Sequence, residues 1–409
     1  MQGPLLDGAV WRLPAYGDAC FDMLPATVLH ALDGAGPGRP LDLEQLAGRY
    51  ERVLLVYFDA FGWRWYEQHV DHPLFAHARE RGRVSRLTSQ FPSTTAAHMT
   101  TIHTGLPVGV HGVYEWFTFL PKLNRIIAPL IFSFAGDELP NTLLSSGVAP
   151  GDVYPESDFY ATLRDAGIAA HVAFPSEIAA STPTTMLLRH ATVHPFAEVA
   201  DGVGAVGRAL AQAERGYGFV YLPNVDAAMH RLGPDHDVVE RMIDETLGAL
   251  ELSLVRGSLP PGTLVLITSD HGTAAIDPGR TLYVNELWPG LSEHLAIGAD
   301  GRPLAPAGSS RDLFLHTRPE SHELVRATLQ THLEGRAEVH SVAELIQAGV
   351  FGSRIGERFR ARVGDLVALA YPGEAVYWSD PPRFTQPYYG QHGGLTPAEM
   401  EIPLIAFVT

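Results

Sequence analysis

A single cysteine, Cys20, is all the thiol the 409-residue chain contains. It cannot pair within the chain, so no intrachain disulfide is expected and no thiolate cluster is available for a metal. A lone Cys in an N-terminal stretch reads as packing. No apolar run reaches the roughly 20 residues that a membrane-spanning helix needs. The opening MQGPLLDGAVWRLPAYGD has neither a basic nor an apolar leader region. These absences predict a soluble, cytoplasmic protein with no membrane partner. Basic charge is also scarce: 29 Lys and Arg stand against 46 Asp and Glu, a net charge of -17. Such a surface repels nucleic-acid backbone, so a small substrate is expected and a nucleic-acid polymer is not. Bound cations or a basic pocket can still reverse the sign locally. Internal repeats and low-complexity tracts are absent.

What is present is a composition that is 46% hydrophobic, ample for a large core. Continuous apolar and β-branched runs predict strands at Val53 to Phe58, Ala169 to Ala173, Phe219 to Tyr221, Thr263 to Thr268 and Leu404 to Val408. Helical patterns lie between them. One runs from Thr95 to His103 after a Pro-Ser-Thr start. Another, over 238–256, puts Val239, Met242, Ile243, Thr246, Leu250 and Leu254 on one face. This alternation predicts an α/β fold with a central, mostly parallel sheet. Residues 1–48, rich in Gly, Pro and Ala, read as an extension packed on the body. Residues 49–275 and 389–409 read as the core. Residues 276–388, with strand-like DLFLHTR and VGDLVALAY and a helix near 320–334, read as an inserted cap subdomain. The aromatic and Pro-rich stretch 114–155 reads as a second cap.

Five segments place Asp, His or Thr just past a strand or at a helix start, the crevice where open α/β sheets bind ligands. Asp59 ends the first strand. Asp270 and His271 end TLVLITSDHG. Asp226 and His230 in NVDAAMH sit four apart and share a face if the stretch is helical, as two ligands of one ion must. His392 lies in GQHGGL, where glycines let the backbone pass close to a ligand. Thr95, in FPSTTAAH, is placed where backbone N–H groups at a helix start favour an anion. Taken singly, each has an ordinary reading: a turn carboxylate, an i,i+4 surface pair, a loop histidine, a helix cap.

Together, FDAFG, FPSTTAAH, TGLPVGVHG, VDAAMHRLGP, TSDHG and GQHGGLTPAEMEIPL span residues 52–409. In order and spacing they resemble the alkaline phosphatase superfamily, and within it the nucleotide pyrophosphatase/phosphodiesterase (type I phosphodiesterase) branch. The resemblance implies a three-layer α/β/α core and two divalent ions, usually zinc, with manganese or iron as alternatives. Asp226, His230 and His392 would hold one ion. Asp59, Asp270, His271 and the Thr95 oxygen would hold the other. Thr95 matches the family nucleophile, with Ser93 and Thr94 as neighbouring rivals. The implied activity is hydrolysis of a small phosphate diester or pyrophosphate through a phospho-threonine. A phosphomonoesterase, a phosphonate hydrolase or a phospho-transferase on the same scaffold are alternatives, as is a metal-binding scaffold without turnover. One departure stands out. Where the branch carries a phosphate-binding asparagine, this chain reads HGVYEW. Glu115 or Trp116 then contacts substrate, with Glu115 either turned outward or facing a cationic group. Lys122 and Arg125 are candidates for an anionic part of the substrate.

Overall fold

The computed structural model describes residues 5–34, 36–257 and 259–409. A seven-stranded sheet forms its centre. Its spatial order is Gly82–Thr88, Glu401–Val408, Leu264–Thr268, Arg52–Phe58, Gly216–Leu222, Ala169–Pro175 and Thr192–Phe196. All pairings are parallel except those of Glu401–Val408, which runs antiparallel to both of its neighbours.

The central strand shows why three layers form. Side chains alternate across a strand, so Val53, Leu55 and Tyr57 face one layer, where they pack with Val28, Ile102 and Leu163. Leu54, Val56 and Phe58 face the other and meet Val206, Ile243 and Leu247. The helix Asp237–Leu254 buries Val239, Ile243, Leu250 and Leu254 as its periodicity predicted, while Met242 and Thr246 lie at the margin of that stripe. Every expected strand is present, though Gly216–Leu222 begins three residues earlier than its apolar run.

Residues 276–388 contain a four-stranded antiparallel sheet in the order Ala307–Gly308, Asp312–Leu315, Leu366–Ala370 and Ala337–Ser341, with the helix His322–His332 between Asp312–Leu315 and Ala337–Ser341 in the chain. Residues 118–134 form a three-stranded sheet of their own. The two segments share one apolar core: Phe117, Ile126 and Ala128 pack with Leu304, Phe314 and Phe384. Near the N-terminus, the helix Leu24–Asp33 places Leu24, Val28 and Leu32 in the core of the main sheet. Among the described residues, no helix is long and apolar enough to cross a membrane.

Candidate metal centre and nucleophile

Two strand ends, two helices and one loop meet beyond the carboxyl edge of the sheet. Asp59 follows Arg52–Phe58 directly and is 1% exposed. Its Oδ2 accepts a 2.5 Å hydrogen bond from the Tyr221 hydroxyl, while Oδ1 has no hydrogen-bond partner and lies 3.6 Å from His271 Nε2. Asp270 and His271 follow Leu264–Thr268 and are fully buried. Asp270 Oδ1 accepts from the Ala60 amide at 3.3 Å. Its Oδ2 has no hydrogen-bond donor and lies 3.1 Å from His271 Nε2. The helix Asn224–Leu232 brings Asp226 and His230 to one face, with His230 Nε2 3.4 Å from Asp226 Oδ2. His392 arrives on the loop before Glu401–Val408, its Nε2 3.2 Å from that of His230 and 3.8 Å from Asp226 Oδ1.

The three imidazoles are held alike. His230 Nδ1 donates to the Gly390 carbonyl at 2.8 Å, His392 Nδ1 to that of Ser93 at 3.0 Å, and His271 Nδ1 to that of Gly272 at 3.0 Å. A proton committed to each carbonyl leaves each Nε2 lone pair free and fixes its direction, which is how proteins orient imidazole ligands. Lone pairs on His230 and His392 only 3.2 Å apart repel, and a shared cation relieves that repulsion. Asp59, Asp226 and Asp270 each leave one buried oxygen without a donor. Buried carboxylates are costly unless paired or metal-bound, so the donor set fits divalent ions. Ligand atoms of Asp226, His230 and His392 lie within 4.8 Å of one another, as do those of Asp59, Asp226 and His271. Asp226 therefore stands in both groups, a sharing that sequence spacing does not show.

Burial, and then the charges of Asp270 and Asp226, push the Asp59 carboxyl well above the usual range. Burial, and then His271 and His230, hold His392 well below the ordinary imidazole value, so it is neutral and able to donate its lone pair. The dominant charges on Asp59, Asp270, His271 and His392 are those of neighbouring Asp and His groups; no Lys or Arg is among them.

Thr95 opens the helix Thr95–Thr104, half-buried, with Oγ1 3.1 Å from His271 Nε2. Its rivals are placed differently. Ser93 Oγ is fully buried and donates to the Gly394 carbonyl at 2.7 Å, and Thr94 is 2% exposed. The strand-to-helix segment before Thr95 is fastened by residues near the N-terminus. The Thr88 amide donates to the Ala19 carbonyl at 2.8 Å, Cys20 Sγ donates to the Ser89 carbonyl at 3.5 Å, and the Phe91 amide donates to the Tyr16 hydroxyl at 3.3 Å. Tyr16→Phe leaves that buried amide without its acceptor, worth about 0.5–1.5 kcal/mol. We expect kcat to fall about two- to tenfold with KM and metal content unchanged. Steady-state kinetics checks this, and a change confined to KM would mean that Tyr16 does not position Thr95.

Glu115 does not point outward. It is fully buried, its Oε2 accepts from the Trp116 amide, and its Oε1 has no partner. Burial is the main cause that raises its carboxyl to about 8. Asp312, also fully buried, is raised well above its usual range by burial and then by Glu115. Gly393, at φ 121°, closes this corner: a Cβ there would stand 2.6 Å from Ser309 Oγ and 2.7 Å from both Asp312 Oδ1 and Glu115 Oε1. Trp116 is 41% exposed. Lys122 and Arg125 are engaged elsewhere, with Asp152 at 2.6 Å and Asp300 at 3.1 Å.

The family model for type I phosphodiesterase / nucleotide pyrophosphatase matches residues 53–395. The chain belongs to that family. It thereby falls in the alkaline phosphatase superfamily, and its three-layer fold agrees. Ectonucleotide pyrophosphatase/phosphodiesterase family member 7 from Homo sapiens is 26% identical over 273 residues, 62% of this chain and 54% of the relative. The Rattus norvegicus protein of that name is 24% identical over 271 residues, 62% of this chain and 56% of the relative. The chain thus spans about half the length of the curated relatives it matches. Murine ectonucleotide pyrophosphatase/phosphodiesterase 5 shares the fold with a TM-score of 0.65 at 20% identity, over 87% of both chains. An inactive form of that murine protein, solved in complex with AMP, gives a TM-score of 0.64 at 21% identity, again over 87% of both chains. Phosphonoacetate hydrolase from Sinorhizobium meliloti 1021, in complex with phosphonoformate, gives 0.60 at 17% identity over 88% of this chain and 92% of its own.

Three contributors had no signal of this kind in the sequence. Tyr221 reads as a core strand residue, yet its hydroxyl holds Asp59. Arg311 and Glu399 form a fully buried pair, Nε to Oε1 2.9 Å and Nη2 to Oε2 3.0 Å. Glu399 also accepts from the Gly394 amide at 3.0 Å and so secures the loop that carries His392.

Proposed function

We propose that the chain is a metal-dependent hydrolase of small phosphate esters, favouring diesters or pyrophosphates, with Thr95 as nucleophile. The observation that carries the reading is the convergence of three Nε2 lone pairs and three donorless carboxylate oxygens beside the Thr95 hydroxyl. Asp226, His230 and His392 would hold one divalent ion, and Asp59, Asp270 and His271, with the Thr95 oxygen, the other; zinc suits this donor set and manganese is the alternative. When bound, the ions lower the pKa of the threonine hydroxyl and neutralise charge on the phosphoryl oxygens.

The chain's own residues do the rest. Thr95 Oγ1 attacks phosphorus, the leaving alcohol or phosphate departs, and a phospho-threonine forms that water then cleaves. The N-terminal turn of Thr95–Thr104 points unspent N–H groups toward the attacked phosphoryl group. Carbonyl bonds from Ser93, Gly272 and Gly390 keep the imidazoles fixed through the cycle, so little reorganisation is needed at the moment of reaction. A diester carries one negative charge at phosphorus and a monoester nearly two. The nucleophile segment, residues 91–116, contains no Lys or Arg, which favours the diester. Exposed Trp116 and Tyr388, the latter with its ring 5.5 Å from that of His230, offer apolar faces to a leaving group.

The test is a panel with defined metals: bis-p-nitrophenyl phosphate, p-nitrophenyl phosphate, a nucleoside triphosphate and phosphonoacetate. We expect kcat/KM for the diester to exceed that for the monoester by at least about tenfold, a difference of ~1.4 kcal/mol in transition-state binding. Metal-loaded protein that turns over none of the four would end the hydrolase reading. Product analysis with an added alcohol separates hydrolysis from transfer.

A further inference from the structure

Away from the metal centre, a small surface cleft, open to solvent, lies where three chain segments meet. Its walls come from the 125–135 hairpin, the 300–305 loop and the turn at 383–384, and they present three guanidinium groups, those of Arg125, Arg302 and Arg383. Among the described residues, two carboxylates pair with them. Asp300 sits 3.1 Å from Arg125, and Asp380 is shared by Arg302 and Arg383 at 3.3 Å each. A local positive excess in a chain of net charge -17 is unusual.

The arginines are also held in place. The Arg125 guanidinium lies 4.2 Å from the centre of the Phe134 ring, and that of Arg383 lies 4.9 Å from the centre of Phe384. Arg383 further donates to the Ala135 carbonyl at 3.1 Å. Gly136, at φ 85°, gives it room: a Cβ there would stand 3.0 Å from Arg383 Nε. Each guanidinium has five donors, and the carboxylates and this carbonyl use few of them. Fixed, planar forks with spare N–H groups match the oxygens of a tetrahedral oxyanion.

We propose that this pocket is a binding site for a compact oxyanion of the phosphate class, separate from the metal centre. The cleft is open to solvent, so inorganic phosphate or the phosphate group of a small ester can reach the guanidinium groups from outside. Phe384, which forms part of one wall, packs at 5.5 Å on Phe117, the residue after Trp116. An anion seated there therefore bears on the segment that leads to Glu115. The proposal does not depend on which reaction the metal centre performs.

The experiment is calorimetric titration of the metal-loaded protein with inorganic phosphate, run beside acetate and beside Arg302→Gln and Arg125→Gln variants. Phosphate at the metal centre is read separately, as its inhibition constant or, without turnover, as its displacement of vanadate. We expect two phosphate sites in the unaltered protein. One weakens at least about tenfold in each variant while the metal-centre reading and the melting temperature stay unchanged. Acetate should bind this site more weakly than phosphate. A single phosphate site, identical isotherms in protein and variants, or equal binding of acetate would overturn the proposal.

Discussion

Thr95→Ala should lower kcat on a diester by a factor on the order of 10³–10⁶ while leaving the fold and the metal content in place. The substitution removes the half-buried hydroxyl that lies 3.1 Å from His271 Nε2 and leaves Asp59, Asp270 and His271 as they were. Elemental analysis and circular dichroism on the variant distinguish a lost nucleophile from a lost site. The controls are Ser93→Ala and Thr94→Ala. Ser93 Oγ binds the Gly394 carbonyl and receives the Gly393 amide at 3.2 Å, so its removal should cost stability and disturb His392 without ending turnover. Full activity in Thr95→Ala would move the attacking group elsewhere and remove the phospho-threonine from the mechanism.

Chelation followed by defined reloading should have the second-largest effect. Turnover is expected to fall to background in the stripped protein and to return with zinc or manganese. The melting temperature should follow the same course. A ligand present at a thousand times its dissociation constant adds about 4 kcal/mol of stability. In the stripped protein, burial and the nearby charges of Asp270 and Asp226 disfavour the ionised form of Asp59, a cost that a bound cation relieves. Turnover that persists at zero metal, verified by elemental analysis of the assayed sample, would refute metal dependence. A melting temperature unmoved by stripping would show that the carboxylates are neutralised some other way.

Much of this is legible in the sequence, for a physical reason. Buried parallel strands are continuous apolar runs, and the candidate ligands Asp59, Asp270 and His271 follow the last residues of two of them, so the strand ending at Phe58 points directly to Asp59. The edge strands were not legible. Gly82–Thr88 is half-exposed and mixes Arg and Ser with Val and Leu, and Thr192–Phe196 contains Pro195; neither presents an apolar run. The shared core of the 118–134 hairpins and the 276–388 region was hidden too, because Phe117 meets Phe384 only through contacts distant in sequence. Glu115 misled for a different reason. Acidic residues are ordinarily solvated, and nothing local announces that Asp312, nearly two hundred positions away, is buried beside it, its carboxyl raised by burial and then by Glu115. The donors at Thr95, Asp226 and His230 were readable as types, whereas the choice of tautomer at each imidazole depends on carbonyls that only the fold brings near.

The antiparallel strand Glu401–Val408 has a consequence for how the molecule is made. It sits inside the sheet, with Gly82–Thr88 on one side and Leu264–Thr268 on the other, so the early edge strand has no partner in the sheet until those late residues arrive. His392 reaches the cluster on the loop just before it. During synthesis the helix that carries Thr95, and Asp59, Asp226, His230, Asp270 and His271, therefore leave the ribosome before the segment that closes the sheet. The nascent chain carries an open hydrophobic seam, and an incomplete candidate site, until Glu401–Val408 has been made.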